Sequence, residues 1–287
     1  MKLATFQALT RLEQSLFGLP MVFSGVMLAL LDPRFELAMA SFSWLCILPA
    51  FFFARISGMA FNQLIDHKID AKNPRTRERV VASGKVSVRS AGFIAWGALA
   101  LFLLSCGMLS FACLLVAPLI AALLFVYSYM KRIHASCHLV LGVIHFFAPV
   151  MASLAILGEF SWPPAFLGLA SLLLIAGSDM IYAIQDYAFD IQEGLYSLPA
   201  KWGIEKSRVV ARLLHVLSLG MLLLLGIKGG LPLFYYLVVP TCGLYFFSFH
   251  KKEREGNLPA LFFSVNVGGA LLVFLFITGG ALWVVMS

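Results

Sequence analysis

The chain has 287 residues, of which 61% are hydrophobic and only 12% charged, whereas soluble domains carry about 25% charged residues. With a mean hydropathy of +0.92 and 26 Phe residues, this composition excludes an ordinary soluble protein and specifies an integral membrane one. The net charge of +7 suggests nucleic acid until the charges are placed along the chain, where they mark topology instead.

Apolar runs long enough to cross a bilayer begin near residues 15, 38, 90, 110, 138, 165, 208, 231 and 260. They predict an all-α, multi-pass protein of about nine transmembrane helices around a central cavity, each of the roughly 20 residues that the hydrocarbon core requires. Arg11 and Glu13 precede the first run without a small-residue cleavage site, so that span is expected to be retained. Lys2 and Arg11 lie before it, and seven basic residues, from Lys68 to Arg89, fall between the second and third spans. Lys131 and Arg132 follow the fourth; Lys201, Lys206, Arg208 and Arg212 surround the start of the seventh; Lys251, Lys252 and Arg254 separate the eighth and ninth. Eighteen of the 21 Lys and Arg thus share one side, which positive-inside bias makes cytoplasmic, with Ser287 outside. Localisation in a bacterial inner membrane is expected, with no role for nucleic acid. The five cysteines, Cys46, Cys106, Cys113, Cys137 and Cys242, show neither CxxC pairing nor zinc spacing and read as packing residues. His67, His134, His138, His145, His215 and His250 show no ligand spacing and read as structural.

The long polar segments, roughly 66–89 and 186–207, each begin with an acidic cluster that ends an even-numbered span. The first is Asn62-x-x-x-Asp66-x-x-x-Asp70 and the second Tyr182-x-x-x-Asp186-x-x-x-Asp190. A helix turns about 100° per residue, so residues four apart lie on one stripe. Pro74 is expected to close the first acidic helix, and Gly194 and Pro199 to break the second. The recurrence suggests an internal duplication, with residues 1–287 forming a single domain. Carboxylates deep in a bilayer cost about 2.5–3.5 kcal/mol each, so four of the chain's 14 acidic residues belong at wet helix ends. Oxygen ligands without His or Cys suit Mg²⁺, which binds through a few carboxylates plus substrate phosphates. Arg75, Arg79, Lys131, Arg132 and Lys201 are placed to grip the remaining phosphate oxygens. A diphosphate leaving under that charge generates a carbocation.

The stretch from Arg55 to Gly84, RISGMAFNQLIDHKIDAKNPRTRERVVASG, resembles the first signature of the UbiA superfamily of intramembrane prenyltransferases. Asp179 to Gly203, DMIYAIQDYAFDIQEGLYSLPAKWG, resembles its second, and Tyr127 to Arg132, YSYMKR, is similar to its Tyr-Pro-x-x-Lys-Arg element, with Ser128 where Pro is usual. Val80-Val81 follows Arg79 where the family commonly has Pro-Leu. The resemblance implies Mg²⁺ on Asp66, Asp70, Asp186 and Asp190, with Asn62 as a further ligand. It implies diphosphate on Arg75, Arg79, Lys131 and Lys201, with Tyr127, Arg132, Asp179 and Tyr182 completing the expected substrate-binding set. The implied reaction ionises an isoprenyl diphosphate, and the aromatic acceptor then attacks the allylic cation and loses a ring proton.

Arg55 lies seven residues before Asn62, deep in the second span. A bare cation there is expensive, so Arg55 either pairs with an intramembrane acid such as Asp179 or grips an acceptor carboxylate. The two signatures resemble the quinone-pathway branch, which makes 4-hydroxybenzoate the first choice of acceptor. The segment EQSLFGLP from Glu13 to Pro20 and the run GMAFN also resemble a subgroup whose acceptor is a dihydroxynaphthoate of menaquinone biosynthesis. A cation-coupled transporter also carries intramembrane carboxylates, but it keeps them near the midplane rather than beside basic loops.

Overall fold

The computed structural model describes residues 2–36, 42–254 and 257–287. Among these the ordered elements are all helical, and nine helices are long and apolar enough to cross a membrane: Leu12–Leu30, Trp44–Lys72, Val88–Leu109, Phe111–Ile133, Cys137–Leu157, Trp162–Gln192, Ile204–Lys228, Leu233–Lys252 and Leu258–Val284. The all-α, nine-span expectation holds. The expected start of the second span, near residue 38, lies outside the described residues. The chain divides into two compact units, residues 1–15 with 41–133 and residues 16–40 with 134–287.

In the first unit, α3 (Ile47–Lys72) packs against α4 (Val88–Leu109) and α5 (Phe111–Ile133), and the short α1 (Leu3–Thr10) lies on α3. Phe61, fully buried, anchors this packing through edge-on contacts to Trp96 at 5.0 Å and Phe125 at 5.3 Å between ring centroids. Such aromatic pairs add about 0.5–1.5 kcal/mol beyond the area they bury. Gln63, buried on α3, donates to the carbonyls of Ala8 at 2.8 Å and Leu9 at 2.9 Å, which ties down α1. α3 ends where Asn73 turns extended (ψ 119°) ahead of Pro74, as steric exclusion of the α region before proline requires. The loop that follows is not a solvated tether. Val80 and Val81 are buried with Val86 against Leu9 and Ala91. The valines that depart from the usual Pro-Leu therefore hold the Arg79 loop by apolar packing.

The second unit contains α2 (Leu19–Leu30), α6 (Cys137–Leu157), α7 (Trp162–Ala183), α8 (Tyr187–Gln192), α9 (Leu198–Trp202), α10 (Ile204–Lys228), α11 (Val238–Lys252) and α12 (Leu258–Met286). α7 is the central element: it packs on α6 and α10 and also touches α2 and α12. Close backbone approach depends on small residues, as is usual where lipid competes equally well for apolar surface. A Cβ on Gly25 would lie 2.3 Å from the Pro149 carbonyl oxygen, and one on Gly142 2.6 Å from that of Leu172. At the end of α2, Arg34 forms a bidentate pair with Asp32 (2.8 and 2.7 Å), reaches Glu159 at 2.7 Å and donates to the Phe160 carbonyl at 3.2 Å. Ser161 adds a bond to Asp32 at 2.8 Å. The Arg34 guanidinium, through its hydrogen bonds, holds the Asp32 carboxyl well below its usual range, at about 2, while Asp32 raises Arg34 in return.

Candidate active site

The first acidic cluster sits on one unbroken helix, so its side chains share a face as the four-residue spacing predicts. Asn62 donates through Nδ2 to Asp66 Oδ2 at 3.0 Å. Its Oδ1 accepts from Arg79 Nη1 at 3.3 Å, and the same nitrogen bonds Asp70 Oδ2 at 2.9 Å. Arg132 Nη2 reaches Asp66 Oδ1 at 2.8 Å, and the guanidinium is fixed by the carbonyls of Ser128 at 2.8 Å and Ile65 at 3.0 Å. The Tyr129 ring lies 5.6 Å beneath it. Each carboxylate thus has its own guanidinium, which offsets the like-charge repulsion between neighbouring acids. Lys131 lies within electrostatic reach of Asp66. Arg79 comes from the loop clamped by Val80 and Val81, and that loop is shaped by Asn73 Oδ1 accepting the Arg75 amide at 2.9 Å.

The second cluster departs from the expected single stripe. α7 ends at Ala183, a 3₁₀ turn covers Ile184–Asp186, and α8 restarts at Tyr187. A 3₁₀ turn rotates about 120° per residue rather than 100°, so three residues advance Asp186 by roughly 60° beyond the α-helical position. Gln185 contributes by donating its side-chain amide to the Tyr182 carbonyl at 3.0 Å. Asp186 and Asp190 are buried, at 3% and 1% exposure, whereas Asp66 is only partly covered. Tyr182 stacks obliquely on Phe262, 4.7 Å between centroids. Downstream, the chain turns at Gly194, whose φ of +66° favours glycine, and the Leu195 amide closes back on the Asp190 carbonyl at 2.8 Å. Ser197 caps α9, with Pro199 in its first turn, and α9 carries the exposed Lys201. Gly194 and Pro199 do shape this segment, but the helix has already been interrupted upstream.

Arg55 and Asp179 find partners within their own units. Arg55 Nη2 donates to Gln14 Oε1 at 2.6 Å, Glu13 and Tyr127 lie within electrostatic reach, and Nε is buried without a hydrogen-bond partner. Asp179 Oδ2 is bonded by His138 Nδ1 at 2.7 Å. In place of Asp179, Arg55 bonds a neutral amide with Glu13 within electrostatic reach, and one of the histidines read as structural is engaged with a candidate site residue. The partnerships of Gln14 with Arg55 and of His138 with Asp179 do not follow from spacing. The available signal was that an ionisable or amide side chain beside or within a span requires a partner. His215 and His250 form a separate pair at 2.9 Å, and none of the five cysteines is in a disulfide, with Cys46 alone not fully buried.

Among the described residues, no three His, Cys, Asp or Glu side chains come together as a ligand set. Each cluster offers two carboxylates. That suits Mg²⁺, which takes one or two carboxylates and completes its shell with water and phosphate oxygens, and does not suit zinc.

Comparison with known proteins gives this geometry its context. The UbiA prenyltransferase family matches residues 18–275. A 4-hydroxybenzoate octaprenyltransferase from Pseudomonas entomophila (strain L48) is 33% identical over 233 residues, covering 77% of this chain and 75% of its own. The apo structure of a UbiA homolog from Aeropyrum pernix K1 superposes with a TM-score of 0.81 at 26% identity, covering 96% and 98% of the two chains. A UbiA homolog from Archaeoglobus fulgidus, solved bound to GPP and Mg²⁺, shares the fold at a TM-score of 0.71 and 18% identity over 96% and 99% of the chains. With both acidic motifs in order on an all-helical membrane fold, the chain belongs to the UbiA prenyltransferase family and is a prenyltransferase.

Proposed function

We propose that the protein transfers a polyprenyl group from an isoprenyl diphosphate to 4-hydroxybenzoate in quinone biosynthesis. It would act in a bacterial inner membrane with its active site towards the cytoplasm and work as one catalytic domain. The observation that carries this reading is the cluster of Asn62, Asp66 and Asp70 on one face of α3, with Arg79 and Arg132 within 2.9 Å of the carboxylates. Acids and guanidinium groups interleaved this way suit a polyanion that arrives with its own cations. The name of the Pseudomonas relative supports the choice of acceptor.

Asp66, Asp70, Asp186 and Asp190, with Asn62, would hold Mg²⁺, which when bound neutralises the leaving diphosphate. Arg75, Arg79, Lys131, Arg132 and Lys201 supply the fixed cations for its other oxygens, and Tyr127 and Tyr182 complete the substrate-binding set. When the allylic carbon–oxygen bond breaks, its electron pair leaves with the diphosphate. The electron-rich ring then forms the new carbon–carbon bond to the allylic cation, and the proton displaced from that ring carbon restores aromaticity. Arg55 would bind the acceptor carboxylate, since its buried Nε is a donor held in place by Gln14 on the neighbouring nitrogen. Asp179 belongs to the same substrate-binding set.

A dihydroxynaphthoate acceptor is the second reading. It is favoured by the location of Glu13 and Gln14, the first residues of the segment resembling the menaquinone subgroup, beside Arg55. Incubating purified protein with a polyprenyl diphosphate, Mg²⁺ and each acceptor in parallel decides between them. Prenylated hydroxybenzoate is expected. Product from the naphthoate alone would transfer the assignment, and no Mg²⁺-dependent product from either would defeat both.

A further inference from the structure

The mechanism above leaves His138 unused, yet it joins α6 both to Asp179 on α7 and to the start of α9. It is fully buried near the start of α6 and bonds two elements at once. Nδ1 lies 2.7 Å from Asp179 Oδ2 on α7, and Nε2 accepts the backbone amide of Leu198, the first residue of α9, at 3.3 Å. An amide can only donate, so Nε2 must present its lone pair and Nδ1 must carry the proton that goes to the carboxylate. The neighbouring Cys137 thiol approaches the Tyr196 carbonyl at 3.7 Å, a second point of attachment for the same loop. Ser197, fully buried, accepts the Ala200 amide and starts the five-residue helix that ends Lys201-Trp202.

From this double contact we infer that His138 is a positioning residue for Lys201: it binds the start of α9 to α7 and so fixes where the exposed ammonium is presented. The inference rests on the reading of Lys201 as a diphosphate cation, but the tether itself does not. Without the imidazole, the Leu198 amide and the Asp179 carboxylate both lose a buried partner, and a strand of loop bounded by Gly194 and Gly203, both at positive φ, is free to move. His138→Leu removes both bonds at similar volume. His138→Gln keeps one donor and one acceptor on a single side chain.

Two measurements test this. His138→Leu is expected to raise the apparent KM for polyprenyl diphosphate about tenfold, the value of one well-placed hydrogen bond to a charged group, while His138→Gln stays close to wild type. Lys201→Met should show a similar increase, and the double variant should be no worse than either single change, because both act through one contact. Additive losses, or a Gln variant as impaired as Leu, would overturn the role. The second measurement needs no activity: trypsin should cut after Lys201 faster in His138→Leu than in wild type, and equal rates would also overturn the tether. If Lys201→Met leaves the KM unchanged, the phosphate reading of Lys201 fails, while the proteolysis still decides the tether. Should His138→Leu not accumulate, His138→Asn, too short to reach both partners, takes its place in both assays.

Discussion

The two acidic motifs have the same spacing and opposite local solutions. On α3, the carboxylates lie along an uninterrupted helix of 26 residues, Asp66 partly exposed and Asp70 buried, and guanidinium groups from a loop and from α5 meet them at 2.8–2.9 Å. In the second unit, a 3₁₀ turn splits the motif and its two aspartates are almost completely buried. There a glutamine bonds the Tyr182 carbonyl, a histidine bonds Asp179 and a capped loop closes on the Asp190 carbonyl. The first motif meets guanidinium groups along a continuous helix, and the second is re-aimed by a 3₁₀ turn and buried more deeply.

If both motifs serve one reaction, removing a carboxylate from either should be the most damaging change. Asp70→Ala and Asp186→Ala are each expected to lower kcat/KM at least ~10³-fold, since several kcal/mol of stabilisation at the leaving group disappear. Both proteins should still purify as folded membrane proteins. Near-native turnover of Asp186→Ala in saturating Mg²⁺ would remove the second motif from the chemistry and reduce the comparison to one functional site and one relic.

The guanidinium groups of the first motif sharpen the comparison. Arg79→Lys keeps a charge but loses the rigid guanidinium whose Nη1 bonds both Asn62 and Asp70. The apparent KM for polyprenyl diphosphate should rise about tenfold, by the cost of a lost charge-assisted bond, and the Mg²⁺ requirement should shift with it. An unchanged diphosphate KM would mean that Arg79 serves only to neutralise Asp70.

Much of the first motif was legible because everything that shapes it is local: four-residue spacing, a long apolar approach and Pro74 as a stop. The nine spans were legible for the same reason, since length and hydropathy are properties of contiguous residues. The 3₁₀ turn was not, because Ile184 and Gln185 carry no helix-breaking chemistry and the turn is settled by what surrounds them. His138 and Asp179 are 41 residues apart in sequence, and no periodicity joins them. Val80 and Val81 were visible as an oddity after Arg79, but their reason lies in burial against Leu9. The Gln14 contact was not legible because an uncharged amide is the least conspicuous partner for a buried arginine.

Arg55 belongs to the first unit but to neither motif, so it separates the two substrates. Arg55→Lys should raise the apparent KM for the aromatic acid about tenfold, the price of a lost bidentate contact, and leave that for the diphosphate within about twofold. Gln14→Leu, which removes the 2.6 Å contact, should move the acceptor KM in the same direction by less. Equal losses for both substrates would assign Arg55 to the phosphate clamp, or to holding the Glu13–Gln14 segment.

The smallest expected effect comes from an ion pair outside both motifs, which calibrates how much an exposed charge contributes in this protein. Asp32 is held at about 2 in the folded state against an ordinary value of 3.8. Because its folded value is depressed, the stability it contributes is fully present above about pH 4 and is lost as the pH falls towards about 2. Arg34 is half-exposed, so solvent screening keeps the contribution below about 1 kcal/mol. Asp32→Asn should therefore lower the Tm slightly at pH 6 in a non-ionic detergent, and the gap to wild type should close as the pH approaches 2. Thermal melts of the two proteins at each pH provide the check. A gap that persists at pH 2 would show that the Asp32 side chain acts through its hydrogen bond from Ser161 and the turn geometry rather than through its charge. A gap much larger than 1 kcal/mol at pH 6 would mean that screening at this surface is weaker than assumed, and that the Arg79 and Arg132 pairs are worth correspondingly more.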